Sequence, residues 1–118
     1  MFKIIVLISG NGSNLQSIID ACKSGMINGN VVGVISNKAN AFGLERAKKD
    51  NIPSQVISHN NFNTREEFDQ ELVSSIKIFQ PDLIVLAGFM RILSPIMTSA
   101  FKHKMINIHP SLLPKYPG

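Results

Sequence analysis

The N-terminal run Phe2–Ser9 restricts the fold more than any other part of this 118-residue chain. Its residues are almost all apolar, and isoleucine and valine predominate. The run lacks the alternation of apolar and polar residues that is typical of a strand with one face in water. Such a strand has to be covered on both faces, as at the centre of a parallel sheet. The run is also too short for a membrane span and lacks the features of a signal peptide. We therefore predict an α/β fold.

Beyond this run, strand and helix patterns alternate along the chain. The predicted strands are Phe2–Ser9, Val31–Ser36, Gln55–Ser58, Leu83–Ala87 and Met105–Ile108. The predicted helices are Ser13–Ser24, Ala41–Asp50, one that begins at Thr64 with Phe68, Leu72, Ile76 and Phe79 on one face, and one from Ser94 to about Phe101. Right-handed crossovers then give a Rossmann-like parallel sheet of about five strands with flanking helices, in a single domain spanning 1–118.

Composition and charge narrow the classes of partner. The chain is 44% apolar and 17% charged, which is typical of a globular protein without a membrane partner. Its one cysteine, Cys22, excludes an internal disulfide, fits a cytoplasmic protein and lies on the apolar helix face, as a structural thiol would. The net charge of +4 comes entirely from residues 83–118, which contain Arg91, Lys102, Lys104, Lys115 and no acid. Without interleaved aromatic residues these bases favour a small anionic substrate over nucleic acid.

Three segments follow predicted strands and therefore meet at the carboxyl edge of the sheet, where ligands bind in such folds. The first is the turn G-N-G-S-N, Gly10–Asn14, whose glycines and free helix N–H groups suit a phosphate. Leu15 stands where a dinucleotide fingerprint has its third glycine, and Ser36-Asn37-Lys38 offers no acid for a ribose. A phosphomonoester is thus favoured over NAD, and an ordinary helix start is the alternative.

The second segment is A-G-F-M-R-I-L, Ala87–Leu93. A glycine turn followed by apolar side chains and free backbone polar groups would suit a flat heterocycle, although a packed loop without a ligand would look the same.

The third segment contains Asn107 and His109, two residues apart at the end of the last predicted strand and hence on one side of it. A proton shuttle beside a hydrogen-bond donor suits acyl transfer through an oxyanion. A lone histidine is otherwise more often structural, and His59 and His103, which lack such company, are predicted to be surface residues.

Four stretches, G-N-G-S-N-L, S-N-K-A-N-A-F-G-L-E-R-A, L-A-G-F-M-R-I-L-S-P and N-I-H-P-S-L-L-P-K-Y-P-G, occur in the order and spacing of one family. Together they closely resemble the phosphoribosylglycinamide formyltransferases of purine biosynthesis. The resemblance covers the whole chain but only the N-terminal portion of the family's pattern. Related folate formyl enzymes share the N-x-H element, but the G-N-G-S-N turn and the P-S-L-L-P-K-Y-P-G tail point to this family rather than to methionyl-tRNA formyltransferase or formyltetrahydrofolate deformylase.

The resemblance implies a role for each matching residue. Gly12, Ser13 and Asn14 would bind the ribose phosphate of 5-phosphoribosylglycinamide. The residues implied at the 10-formyltetrahydrofolate site are Arg65, Met90, Arg91, Ile92, Leu93 and Asn107. Asn107 would stabilise the oxyanion and His109 would shuttle the proton, which makes them two of three catalytic residues, with no metal.

The family's third catalytic residue is an aspartate in a downstream D-G-G element, and its closing strands and helix also lie beyond the pattern matched here. Neither Asp20, in the middle of a helix, nor Asp82, at the start of a strand, is placed to replace that aspartate. The resemblance therefore implies that residues 1–118 alone have little activity. The alternatives are another folate-dependent formyl enzyme or a non-catalytic phosphoribosyl-binding fragment, and the oligomeric state is left open.

Overall fold

The computed structural model describes residues 1–108, which fold into a five-stranded parallel sheet with helices on both faces. The strands are β1 (Lys3–Ile8), β2 (Asn30–Ser36), β3 (Ser54–Val56), β4 (Leu83–Ala87) and β5 (Met105–Ile108). The helices are α1 (Ser13–Lys23), α2 (Gly43–Lys49), α3 (Arg65–Ile78) and α4 (Pro95–Ala100), with a 3-10 turn at His59–Asn61. Every predicted strand and helix is present, with ends that lie within one or two residues of the predicted bounds.

The strand order is β3-β2-β1-β4-β5, and all neighbouring strands are parallel. The apolar N-terminal run accounts for this order, because β1 lies at the centre and the side chains of Ile4–Ile8 are at most 1% exposed. The chain builds β2 and β3 on one side of β1, then crosses over to add β4 and β5 on the other. This reversal between β1 and β4 is the place where parallel α/β sheets bind ligands.

Alternate residues of β1 pack into two separate cores. Ile4, Val6 and Ile8 face the cluster that contains the apolar residues of α1 and α2. Ile5 and Leu7 face the cluster that α3 and α4 cover. The helix pairs thus occupy opposite faces of the sheet, and α3 and α4 share a face that proves important for the site.

The helix starts follow the predicted signals. Thr64 caps α3 by accepting a hydrogen bond from the backbone N–H of Glu67 (3.1 Å), and the Glu67 carboxylate accepts one from the Thr64 N–H (3.2 Å). Ser94 caps α4 by accepting from the Ile96 N–H (3.3 Å). Among residues 1–108, no helix is long and apolar enough to cross a membrane.

Candidate active site

The turn Gly10–Asn14 joins β1 to α1 and leaves the start of that helix open. Gly12 is the N-cap residue in a left-handed conformation (φ 80°), and a Cβ there would lie only 2.6 Å from the Gly43 Cα. Within the described residues, no side chain caps α1 and no acid lies in its first turn. The first N–H groups of this eleven-residue helix, at its positive dipole end, therefore have no side-chain acceptor there, and Ser13 beside them is exposed. This geometry suits an anion.

Arg46 on α2 supports the turn from the side. Its Nε donates a hydrogen bond to the backbone oxygen of Asn11 (2.9 Å), and its Nη2 donates to Asn11 Oδ1 (2.6 Å). The guanidinium also lies 5.1 Å from the centre of the Phe42 ring. The backbone N–H of Gly43 donates to the Gly10 oxygen (3.0 Å). Helix α2 thus fixes the turn and brings a positive charge beside it.

The loop that follows β4, residues 88–94, lies at the same edge. Gly88 begins it with a positive φ of 70°, and Phe89 and Leu93 pack against the α3/α4 core. Met90 and Ile92 instead project outward and are each 73% exposed. The loop therefore has an anchored side and an open side.

Asn107 lies on β5 in register with Leu86, two residues before Gly88. Met105 on the same strand packs against the α3/α4 core, whereas Ile108 packs against the opposite core. Alternation therefore places Asn107 on the α3/α4 face, which is the face that holds the 88–94 loop. Its side chain is exposed. His109, its predicted partner, lies outside the described residues.

Arg65 begins α3 and is exposed. Phe68 and Asp69, about one turn further along the helix, contact the 88–94 loop. The guanidinium of Arg91 lies 5.2 Å from the centre of the Phe68 ring, and Asp69 accepts a hydrogen bond from the Ser94 N–H. The predicted residues Arg65 and Met90–Leu93 therefore occupy one side of the edge.

A single hydroxyl joins the turn to the loop. Ser9 Oγ accepts a hydrogen bond from the backbone N–H of Met90 (2.7 Å) and donates to Asn37 Oδ1 (2.5 Å). Ser9 and Asn37 are 4% and 3% exposed. Because the backbone N–H of Met90 already donates to Ser9, the carbonyl oxygen is the backbone polar group of Met90 that is left to bind a ligand.

Sequence analysis did not identify Ser9, Asn37, Arg46 or Asp69 as site residues. Only Asp69 carried a local signal, because its spacing from Leu72 and Ile76 places a carboxylate on the buried face of α3. The contacts of Ser9 and Arg46 join segments 81 and 35 residues apart. No pattern in the sequence indicated those contacts.

The bases of residues 83–118, which favoured a small anionic substrate, do not all lie at the edge that holds the candidate site. Lys102 and Lys104 precede β5 and therefore lie at the amino edge of the sheet, opposite the candidate site. Of the four bases, only Arg91 is described at the carboxyl edge, since Lys115 lies outside the described residues. Arg46, which lies outside this segment, adds a positive charge beside the turn.

Asp82, Cys22 and His103, which were not predicted as site residues, lie away from this edge. Asp82 accepts a hydrogen bond from the Lys3 N–H (2.8 Å) at the amino end of β1. Burial raises the pKa of Cys22, whose side chain packs against the α1/α2 core. His103 is exposed, whereas His59 is only half-exposed and its Nδ1 is buried. Among residues 1–108, no group of three or more His, Cys, Asp or Glu could hold a metal ion.

Comparison with known proteins agrees with the fold and the motifs. The family model for formyl transferase matches residues 2–118. Phosphoribosylglycinamide formyltransferase from Escherichia coli (strain K12) is 58% identical over 115 residues, which cover 98% of this chain and 54% of that protein. The enzyme of the same name from Haemophilus influenzae is 54% identical over 118 residues, covering 100% and 56%.

The solved structures agree with the sequence comparison. Glycinamide ribonucleotide transformylase 1 from Symbiobacterium toebii superposes with a TM-score of 0.90 at 44% identity, and the match covers 100% of this chain and 56% of that one. The chain spans about half the length of the curated relatives it matches. With its family model matched from residue 2 to residue 118 and its five-stranded sheet shared, the chain belongs to the formyl transferase family.

Proposed function

We propose that this chain forms the phosphate-binding and folate-binding part of an enzyme that transfers a formyl group from 10-formyltetrahydrofolate to 5-phosphoribosylglycinamide. One observation carries the proposal. An uncapped helix start, an outward-facing loop and the Asn107 side chain converge on one edge of the sheet, at the β1/β4 switch point. The names of the relatives from Escherichia coli and Haemophilus influenzae support this choice of acceptor.

The phosphate of the acceptor would bind at the turn. The backbone N–H groups at the start of α1 and the Ser13 and Asn14 side chains supply hydrogen-bond donors, and Gly12 allows the close approach. Arg46 adds a positive charge beside the turn but already binds Asn11. It would therefore act by holding the turn and by its field.

The formyl donor would bind at the 88–94 loop. The backbone groups of Arg91, Ile92 and Leu93, which have no hydrogen-bond partner among residues 1–108, would recognise the edge of its flat heterocycle, and the exposed side chain of Ile92 would cover one face. Arg65, at the start of α3, would attract the carboxylates of the folate tail.

The reaction would then proceed by addition and elimination at the formyl carbon. The glycinamide nitrogen forms a bond to that carbon, whose oxygen becomes an oxyanion that the Asn107 side-chain amide stabilises by donating a hydrogen bond. His109 takes the proton from the attacking amine and delivers it to N10 of the folate as the C–N10 bond breaks. The products are formylated glycinamide ribonucleotide and tetrahydrofolate. The role of His109 rests on the sequence motif.

The decisive experiment uses the protein at the full length that its gene encodes. The protein is incubated with 10-formyltetrahydrofolate and one acceptor at a time, and the release of tetrahydrofolate is measured. The acceptors are 5-phosphoribosylglycinamide, methionyl-tRNA and water alone. We expect turnover only with 5-phosphoribosylglycinamide. Turnover with water alone would identify a deformylase, and turnover with methionyl-tRNA a different transferase. Binding of 10-formyltetrahydrofolate and 5-phosphoribosylglycinamide without turnover would indicate a non-catalytic binding protein.

Two variants test the catalytic assignment. Asn107→Ala should lower kcat by about 100-fold to 1,000-fold, as expected for the loss of one oxyanion donor. His109→Ala should lower kcat at least as much and remove the acidic limb of the pH profile. The matched control is His103→Asn, because His103 is exposed at the opposite edge and asparagine tolerates its positive φ of 68°. Equal losses in all three variants would contradict the assignment.

A further inference from the structure

The 88–94 loop is hydrogen-bonded near each end by a buried side chain from elsewhere in the chain. At one end, Ser9 Oγ accepts from the Met90 N–H at 2.7 Å. At the other, Asp69 Oδ2 accepts from the Ser94 N–H at 2.5 Å. Ser9 is 4% exposed and Asp69 is 0% exposed. The two anchors come from opposite sides, since Ser9 follows β1 and Asp69 lies on α3.

The orientation of the Ser9 hydroxyl is fixed by its other neighbour. A serine hydroxyl has one proton to donate, and this one goes to Asn37 Oδ1 (2.5 Å). Its lone pairs are therefore left to face the Met90 N–H. Because Ser9 immediately precedes Gly10, the same residue also sets the start of the phosphate turn. The loop and the turn are thus joined through one buried atom.

The Asp69 carboxylate is committed to the loop. The Ser94 N–H is its one hydrogen-bond partner in the part of the chain that the structure describes, and its Oδ1 is buried without another. Ser94 is also the N-cap residue of α4, so Asp69 fixes the point at which the loop becomes a helix. The neighbouring Phe68 ring holds the Arg91 guanidinium at 5.2 Å. Helix α3 thus holds the second half of the loop.

We propose that Ser9 and Asp69 are positioning residues that hold the 88–94 loop in the shape that receives the formyl donor, an inference that rests on the proposed function of this loop. By binding the N–H groups of Met90 and Ser94, they leave the backbone groups of residues 91–93 turned toward the ligand. A loop released at either end would move those groups by a fraction of an ångström or more. Displacements of this size weaken recognition strongly, because each hydrogen bond depends on distance and angle.

The test measures two ligands separately on the full encoded chain. Folic acid reports on the loop and ribose 5-phosphate on the turn, both by isothermal titration calorimetry, alongside kcat and the KM for the formyl donor. Asp69→Ala should raise the folic acid Kd and the donor KM about tenfold, with the ribose 5-phosphate Kd unchanged. Asp69→Asn keeps an acceptor oxygen for the Ser94 N–H and should restore the donor KM to within about threefold of the natural protein. Ser9→Ala should also raise the folic acid Kd about tenfold.

Matched controls separate positioning from general stability. Ser36→Ala removes a buried hydroxyl at the end of β2 whose partners among residues 1–108 are the backbone groups of Lys38. Ser75→Ala removes a buried hydroxyl on α3 that bonds to Gln55 and Glu71. Both controls should leave the folic acid Kd unchanged. If Asp69→Ala weakens the binding of both ligands equally, or if the anchor variants bind folic acid as the controls do, the proposal is overturned.

Three further outcomes are also decisive. Should Asp69→Ala not yield folded protein, Ser9→Ala decides, since it is the smaller change and removes only one oxygen atom. If the natural full chain binds no folic acid, the proposed function fails and this inference fails with it. If the natural chain and every variant bind folic acid equally, the proposed function stands and the positioning role alone is refuted.

Discussion

Replacing Gly12 by alanine should damage both the stability of the fold and the phosphate turn. Two costs add at this position. The left-handed conformation (φ 80°) costs an L-residue about 1 to 2 kcal/mol. A Cβ would also lie 2.6 Å from the Gly43 Cα, and backbone must shift to relieve the contact, at about 1 to 3 kcal/mol. We expect a loss of about 2 to 5 kcal/mol in the free energy of unfolding.

Other glycines of the chain separate the two costs. At Gly10 an added Cβ would have no atom within 4 Å and φ is not positive, so Gly10→Ala should be neutral or slightly stabilising. Gly25 has a φ of 83° with open space around it, so Gly25→Ala should show the conformational cost alone. At Gly43 a Cβ would collide with Ile8 Cδ1 without a positive φ, so Gly43→Ala should show the steric cost alone.

Urea unfolding of the full chain measures these differences, provided that the dependence on denaturant is unchanged. Because the shift needed at Gly12 moves the start of α1, the ribose 5-phosphate Kd of Gly12→Ala should also rise at least tenfold, whereas that of Gly25→Ala should not. If Gly12→Ala matches Gly10→Ala within about 0.5 kcal/mol, the reasoning from backbone geometry is refuted.

Two further predictions concern residues away from the site. Thr64→Ala removes half of the capping box of α3 and should lower the free energy of unfolding by about 1 kcal/mol, whereas Thr98→Ala, at an exposed position of α4, should change it by less than about 0.5 kcal/mol. Since burial raises the pKa of Cys22, the alkylation rate of the native chain should reach half its limiting value at a higher pH than in urea, and equal midpoints would contradict this. The raised pKa also makes stability depend on pH. The contribution of this thiol to the free energy of unfolding is present below the pKa of the unfolded state and is lost as pH rises through the pKa of the folded state.

Local sequence patterns predicted the elements of this fold well, and physical reasons explain why. The side chains of Phe68, Leu72 and Ile76 repeat with the period of a helix, and all three are buried against the sheet. The continuous apolar run predicted a central strand because only a strand covered on both faces can bury every residue. The edge at which ligands bind follows from parallel strands, so the position of Asn107 was also predictable.

Contacts between distant segments were not predictable, since no local pattern encodes them. Ser9 ends an apolar run as many strand-terminal serines do, and its bond to Met90 arises only because β1 and β4 are neighbours. Asn37 was noted only for not being an acid, yet its amide oxygen accepts the Ser9 proton. The support of a ligand loop thus comes from tertiary contacts, even where the loop itself has a recognisable sequence.

The positions of the charged residues at the site were also not predictable from the sequence, because they depend on which edge of the sheet each connection reaches. Counting along the chain placed the excess positive charge in residues 83–118, which suggested that this segment attracts the anionic substrates. In the fold, the connection that contains Lys102 and Lys104 enters β5 at the amino edge, whereas the phosphate turn lies at the carboxyl edge. A parallel strand of four residues separates its two ends by about 10 Å, which is roughly one Debye length at physiological salt. The positive charges at the carboxyl edge include Lys38, Arg46 and Arg65 from outside residues 83–118, so the charge relevant to binding has to be counted by sheet edge.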